Sequence, residues 1–151
     1  VRVGNVADER LVRRKIGVFR QVLCAAPAYL ASHGTPRTVG KLAQHACLAY
    51  VRDGGLTPWA LPGGTRHVPH GPFAADTNSA LRAAAIAGLG IARLPEVVVR
   101  DDVRARRLRV LTRLGPAPPL DVYLLYAQPR LQPSRVRALI DFLATLAPEL
   151  A

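Results

Sequence analysis

Methionine is missing from this chain altogether, lysine occurs only at positions 15 and 41, and aromatic residues make up 5% of it. Each shortage excludes something. Without a methionine at its head, the chain is expected to be preceded by further sequence. Scarce aromatics argue against a single-strand nucleic-acid groove, which stacks bases on aromatic rings set among cations. Two cysteines, Cys24 and Cys47, are too few for a disulfide framework, and each lies in an apolar run, so both read as buried free thiols. No apolar run is long enough to span a bilayer and no secretion signal is visible, which places the protein in the cytoplasm, away from membranes.

Catalytic signatures are absent as well. There is no glycine–serine nucleophile elbow, no phosphate-loop lysine and no recognisable carboxylate pair. His67 and His70 sit three apart among prolines with no cysteine cluster nearby, so no metal site is expected. Gly88-Leu89-Gly90 resembles half a dinucleotide fingerprint but follows a helix instead of opening one. No helix-turn-helix can be drawn. The reading is a protein that is not an enzyme and carries no cofactor.

What is present is a chain of 151 residues, half of them hydrophobic, enough for one domain or two small lobes. Its net charge of +11 is almost entirely arginine and points to anionic partners. The arginines are dispersed, densest at positions 10–15 and 104–109, and read as a solvated surface.

The chain is organised around residues 76–95, D-T-N-S-A-L-R-A-A-A-I-A-G-L-G-I-A-R-L-P. Thr77, Asn78 and Ser79 are three candidate helix caps. Leu81, Ala84 and Ala85 recur at helical spacing, Gly88 stops the helix, Gly90 allows a second turn, and residues 91–94 form a buried strand ended by Pro95. A helix start that faces a cleft can hold a small anion.

Along the remainder, residues 1–4 read as a strand, 5–10 as a polar loop, and 11–16 and 18–25 as two strands turned at Gly17. Pro27 opens a short helix that Gly34 closes. Thr38 caps a second, through 44. Strand 46–51 runs into a glycine turn, 58–61 is a short strand carrying Trp59, and 66–68 can pair with 73–75. Residues 96–103 form a helix and 108–111 a strand. Residues 115–119 are the best linker, 121–127 a strong strand, and Ser134 caps an amphipathic helix with Val136, Leu139, Ile140, Leu143 and Leu146 on one face. Strands alternating with helices make an α/β fold.

Four segments, in this order and spacing, resemble the effector-binding domain of LysR-type transcriptional regulators: L-C-A-A-P-A-Y-L-A-S-H-G at 23–34, K-L-A-Q-H-A-C-L-A-Y at 41–50, the stretch at 76–95, and P-S-R-V-R-A-L-I-D-F-L at 133–143. The first seventeen residues resemble the family's strand leading into that region. The resemblance implies a two-lobed α/β architecture like that of the type 2 periplasmic solute-binding proteins. Lobe I would hold 1–26 and 119–151, and would be incomplete; lobe II would hold 27–118. It implies a small effector, an organic acid, bound between the lobes and biasing their closure, with a likeness to a homo-oligomer that reaches DNA only through an N-terminal helix-turn-helix absent here. Carried over by position, the effector-binding residues are Arg2, Gly4, Tyr50, Arg52, Thr77, Asn78, Ala92, Arg93 and Pro95. Gly40-Lys41 stand where the family usually has an acidic residue. Two rivals remain: a stand-alone solute-binding protein of the same fold, and a basic nucleic-acid-binding module.

Overall fold

The computed structural model describes residues 2–3, 11–127 and 134–145. In chain order they form β1 (Arg2–Val3), β2 (Leu11–Ala25), α1 (Pro27–His33), β3 (Cys47–Arg52), β4 (Gly55–Leu56), β5 (Trp59–Ala60), β6 (Arg66–His67), β7 (Ala74–Ala75), α2 (Asn78–Ile86), β8 (Ile91–Pro95), α3 (Glu96–Arg104), β9 (Arg109–Val110), β10 (Ala117–Ala127) and α4 (Ser134–Thr145). Single 3-10 turns lie at Val39–Gln44, Pro62–Gly64 and Thr112–Leu114. Gly4, the loop at 5–10 and Leu146 lie outside the described residues. The chain divides into two compact units, Val1–Arg20 with Pro119–Ala151, and Gln21–Pro118.

In the first unit β1 pairs antiparallel with β10, Arg2 opposite Tyr123 and Val3 opposite Val122. Ile16, Val122, Leu124 and Ile140 form the core, with Phe19, Tyr126, Val136 and Leu143 packed on it. The amphipathic face expected of α4 is narrower than its sequence suggests: Leu139 is 55% exposed. Arg14 bonds Asp141 at 2.6 Å, and Lys15 meets Asp121 at 2.5 Å. Both pairs are half-exposed, and such pairs contribute little.

The second unit carries a central sheet. β8 runs antiparallel to the end of β2, with Gln21 opposite Pro95 and Cys24 opposite Ala92. β3 is parallel to β8, with Cys47 opposite Ile91. β7 lies parallel on the other side of β3, with Tyr50 opposite Ala75. Alternate residues of these strands enter two cores. Leu23, Cys47 and Ile91 join Tyr29, Leu30, Leu42, Trp59 and Leu61 on one face. Cys24, Leu48, Ala92 and Leu94 join Leu81, Ala84, Ala85 and Val99 on the other. The large aliphatic side chains among them each contribute about 1.5–3 kcal/mol by burial. The two thiols fall on opposite faces, and burial pushes each up to about 12, so neither is a reactive thiolate.

Glycine is required at two positions of the central stretch. Gly88, at φ 80°, turns the chain out of α2. A Cβ on Gly90 would stand 2.5 Å from the Ala46 carbonyl oxygen. That carbonyl accepts the Ile91 amide at 2.8 Å, the contact that starts the β3–β8 pairing.

Four expectations are corrected. Residues 11–25 are one strand, not two turned at Gly17, because the backbone stays extended through that glycine. Residues 66–67 pair with Trp59–Ala60, and Ala74–Ala75 pair with β3 instead. Of the three candidate caps only Thr77 caps, accepting from the Ala80 amide; Asn78 and Ser79 are already helical. The proline-rich segment does not remain a linker, since β10 begins at Ala117; Pro118 and Pro119 suit extended backbone.

One carboxylate ties the helices of the second unit. Asp102 on α3 has no exposed surface and is held by Arg82 of α2, through Nε and through Nη2 at 2.9 Å, and by Arg107 Nε at 2.8 Å. The Arg82 hydrogen bond, opposed by burial and helped by Arg107, holds its carboxyl below the ordinary 3.8.

Two predictions follow from these contacts. Gly90→Ala lowers the unfolding free energy by roughly 2–4 kcal/mol, read by urea denaturation, because Ala46 backbone must move. Asp102→Asn costs on the order of 2 kcal/mol at neutral pH. A lowered carboxyl pKa stabilises above its unfolded value and loses that contribution as pH falls through the folded value. The deficit of Asp102→Asn relative to the parent therefore narrows below about pH 4, measured by denaturation across an acid series.

Candidate functional site

Three parallel strands, β3, β7 and β8, end on the same edge of the second unit's sheet. Ligands of open α/β sheets bind outside such carboxyl ends. Tyr50, Val51 and Arg52 close β3, Leu94 and Pro95 close β8, and α2 begins at Asn78, just past the end of β7. Gln21 reaches the same edge because antiparallel β2 places it opposite Pro95.

Thr77 takes up one amide of the first turn of α2 at 3.3 Å. Helix geometry leaves the amides of Asn78 and Ser79 without intrahelical partners. Arg52 is exposed, with its guanidinium 5.9 Å from the centre of the Tyr50 ring. Tyr50 is half-buried against the α2-side core. Asp53, at φ 51°, and Gly54, at φ 77°, turn the chain back so that the Thr57 amide bonds the Tyr50 carbonyl at 2.8 Å.

Arg93 is the unusual member. Its side chain is half-buried, its Nε is shielded from solvent without a hydrogen-bond partner among the described residues, and burial lowers its pKa from the ordinary value. Gln21 is 6% exposed, and its Nε2 is likewise buried and unpartnered. Register puts the two on one face: Gln21 faces Pro95 and Leu23 faces Arg93. They are diagonal neighbours, about 7–8 Å apart by sheet geometry. Two buried N–H donors without acceptors, one of them cationic, are costly in isolation and suit an incoming carboxylate.

Tyr50, Arg52, Thr77, Asn78, Arg93 and Pro95 thus lie along one edge, Arg93 and Pro95 on the face of Leu23 and Ile91, and Tyr50 with α2 on the other. Ala92 lies one residue deeper, and its methyl group is wholly buried among Leu48, Leu81 and Ala84, so it offers no surface. Arg2 belongs to β1 of the first unit, paired with Tyr123, and Gly4 is outside the described residues. Gln21 was not among the expected site residues. Its signal was available, a lone amide in the apolar run V-F-R-Q-V-L-C. His67, where the sequence gives no metal site, packs its ring 5.5 Å from that of Trp59, and burial lowers its pKa. Among the described residues no three His, Cys, Asp or Glu side chains gather as a metal site.

An α/β sheet whose parallel carboxyl edge carries cations, a helix start and unsatisfied donors has the features of a small-ligand site. Comparison with known proteins narrows this. The model of the LysR substrate binding domain matches residues 1–148, and the chain belongs to that family. It is 32% identical over 146 residues to the HTH-type transcriptional activator AaeR of Escherichia coli (strain K12), covering 95% of this chain and 47% of that protein. It is 37% identical over 147 residues to a putative transcriptional regulator of Pseudomonas aeruginosa, covering 93% and 47%. The full-length structure of the Vibrio cholerae virulence activator AphB superposes with a TM-score of 0.78 at 32% identity, covering 95% of this chain and 50% of that one. The CrgA regulatory domain of Neisseria meningitidis gives 0.78 at 29% identity, covering 98% and 72%. The chain thus spans about half the length of the full-length relatives named here.

The fold is the two-lobed, periplasmic-binding-protein-like fold of LysR regulatory domains. The relatives are transcriptional regulators, which favours a regulatory domain over a stand-alone solute-binding protein. No described helix is long and apolar enough to cross a membrane.

The desolvated cation generates a stability prediction. Arg93→Met removes an unsatisfied buried donor and keeps the aliphatic bulk, so in the absence of ligand the variant is at least as stable as the parent. A thermal melt at low ionic strength checks it; a lower melting temperature would show that Arg93 serves packing instead.

Proposed function

We propose that this chain is the effector-sensing domain of a LysR-type transcriptional regulator, and that a small organic acid binds at the carboxyl edge of the second unit's sheet. Arg93 carries the reading: its Nε is buried without an acceptor among the described residues, a state that a bound carboxylate would relieve. Gln21 Nε2 supplies a second donor beside it. Pro95 flanks the face these two share, while Tyr50, Arg52, the Thr77 hydroxyl and the first amides of α2 border the same edge from the other face of the sheet.

The effector acts by preferring one conformation of the domain over another, and it shifts their populations by no more than that difference in affinity. The response reaches DNA through the helix-turn-helix that the relatives' names declare, in a homo-oligomer working in the cytoplasm.

A panel of short-chain and aromatic carboxylates, each added to the chain at constant ionic strength, tests the site. At least one raises the melting temperature saturably, as a ligand of the native state must. In Arg93→Met that rise is lost. An equal rise in both proteins would remove the carboxylate from this edge, and no rise with any acid would remove the effector class.

A further inference from the structure

A second group of cations lies at the other end of the same unit. Gly34, at φ 81°, ends α1 and turns the chain into Thr35–Arg37. Arg109 on β9 stands opposite Ala25 on β2, and the Leu111 amide bonds the Leu23 carbonyl at 2.8 Å. The 3-10 turn that follows presents Thr112 and Arg113 on the surface while Leu111 and Leu114 are buried in the core with Tyr29 and Leu30. The result is a cavity of about 230 Å³ walled by Arg37, Arg109, Arg113 and the hydroxyl-bearing Thr35 and Thr112. A neighbouring cavity of about 250 Å³ shares the wall at 35–37 and adds Lys41, His33 and His45. Each is somewhat smaller than the roughly 300 Å³ of an ordinary small-ligand pocket.

The charge balance of this groove is one-sided. Neither cavity is lined by a carboxylate. Arg82, Arg107 and Arg14 are all paired with aspartates, whereas Arg37, Arg109 and Arg113 form no ion pair with any described residue. Guanidinium groups remain charged at any physiological pH, so three of them around one cavity repel each other until an anion enters. Their planar donor forks match phosphate oxygens bidentately. A dianionic phosphate has three outer oxygens for three such groups.

We propose that this groove is a second ligand site, independent of the carboxylate edge, that takes a small molecule bearing a phosphate group. The phosphate sits among Arg37, Arg109 and Arg113, and the remainder of the molecule extends past Thr35 toward Lys41 and His45. The two sites are separate places: Gln21 and Ala25 mark the two ends of the second unit's part of β2, about 13 Å apart along the strand.

The test is a titration of the isotope-labelled chain, followed by amide NMR, with inorganic phosphate and with glycerol 3-phosphate, chloride holding the ionic strength constant and glycerol as the control. Saturable shifts confined to residues 35–37, 41–45 and 109–113, weakened roughly tenfold or more in Arg109→Gln/Arg113→Gln but unchanged in Arg93→Met, support the proposal. All three arginines are exposed, so the double variant keeps a dispersed spectrum; should it not fold, Arg37→Gln from the facing wall provides the same comparison. Shifts matched by chloride, an adventitious ion only, would overturn it. So would shifts that survive the substitutions, or displacement of the phosphate ester by a short DNA duplex with steep salt dependence, which would make the groove a nucleic-acid surface.

Discussion

The second unit depends on one close approach of backbone to backbone. The Ala46 carbonyl accepts the Ile91 amide, and Gly90 lies where any side chain would strike that carbonyl. This contact fixes the register of β8 against β3, with Cys47 opposite Ile91 and Leu48 opposite Ala92. Side chains alternate along a strand, so a slip of one residue would exchange the faces of the sheet. Arg93 would then enter the packed α2-side core and Ala92 and Leu94 would leave it. The position of the desolvated cation is thus set three residues upstream by a glycine, not by anything Arg93 itself bonds.

Two buried charges in this unit show how differently such groups are treated. Asp102 is wholly buried but fully answered by two guanidinium groups, so its charge is stabilised and it joins α2 to α3. Arg93 is partly buried and its Nε is answered by nothing in the described chain. Both arrangements place a charge away from water; only the first is complete within the protein. An incomplete one marks a candidate for a partner from outside, which charge or position alone would not single out.

Much of the fold was legible because its signals are local. The stop at Gly88, the strand at 91–95, the helix opened by Pro27 and the cap at Thr77 each rest on chemistry within a few residues. Apart from the caps expected at Asn78 and Ser79, the strand failures were long-range. Nothing in residues 11–25 shows that Gly17 is passed straight through, because the partner strands come from residues 92–95, 109–110 and β10. Pairing 66–68 with 73–75 was the local choice, but each segment found a partner elsewhere. For the site, the family resemblance named the strand ends, yet it included Ala92, whose small side chain is buried by strand parity. It passed over Gln21, whose meaning appears only when antiparallel pairing brings it beside Arg93.

Whether two anion sites on one unit would sense each other is a question about β2. Coupling requires an element with two arrangements that both ligands bias. The segment between Gln21 and Ala25 pairs with β8 and β9 along its length, and its side chains enter two separate cores at Leu23 and Cys24. Moving it would break both pairings and disturb both cores at once, which close packing makes expensive. A strand held in this way transmits position, not change. The physical expectation is that anions at its two ends bind additively within the second unit, so any regulatory communication between them must pass through elements other than this strand.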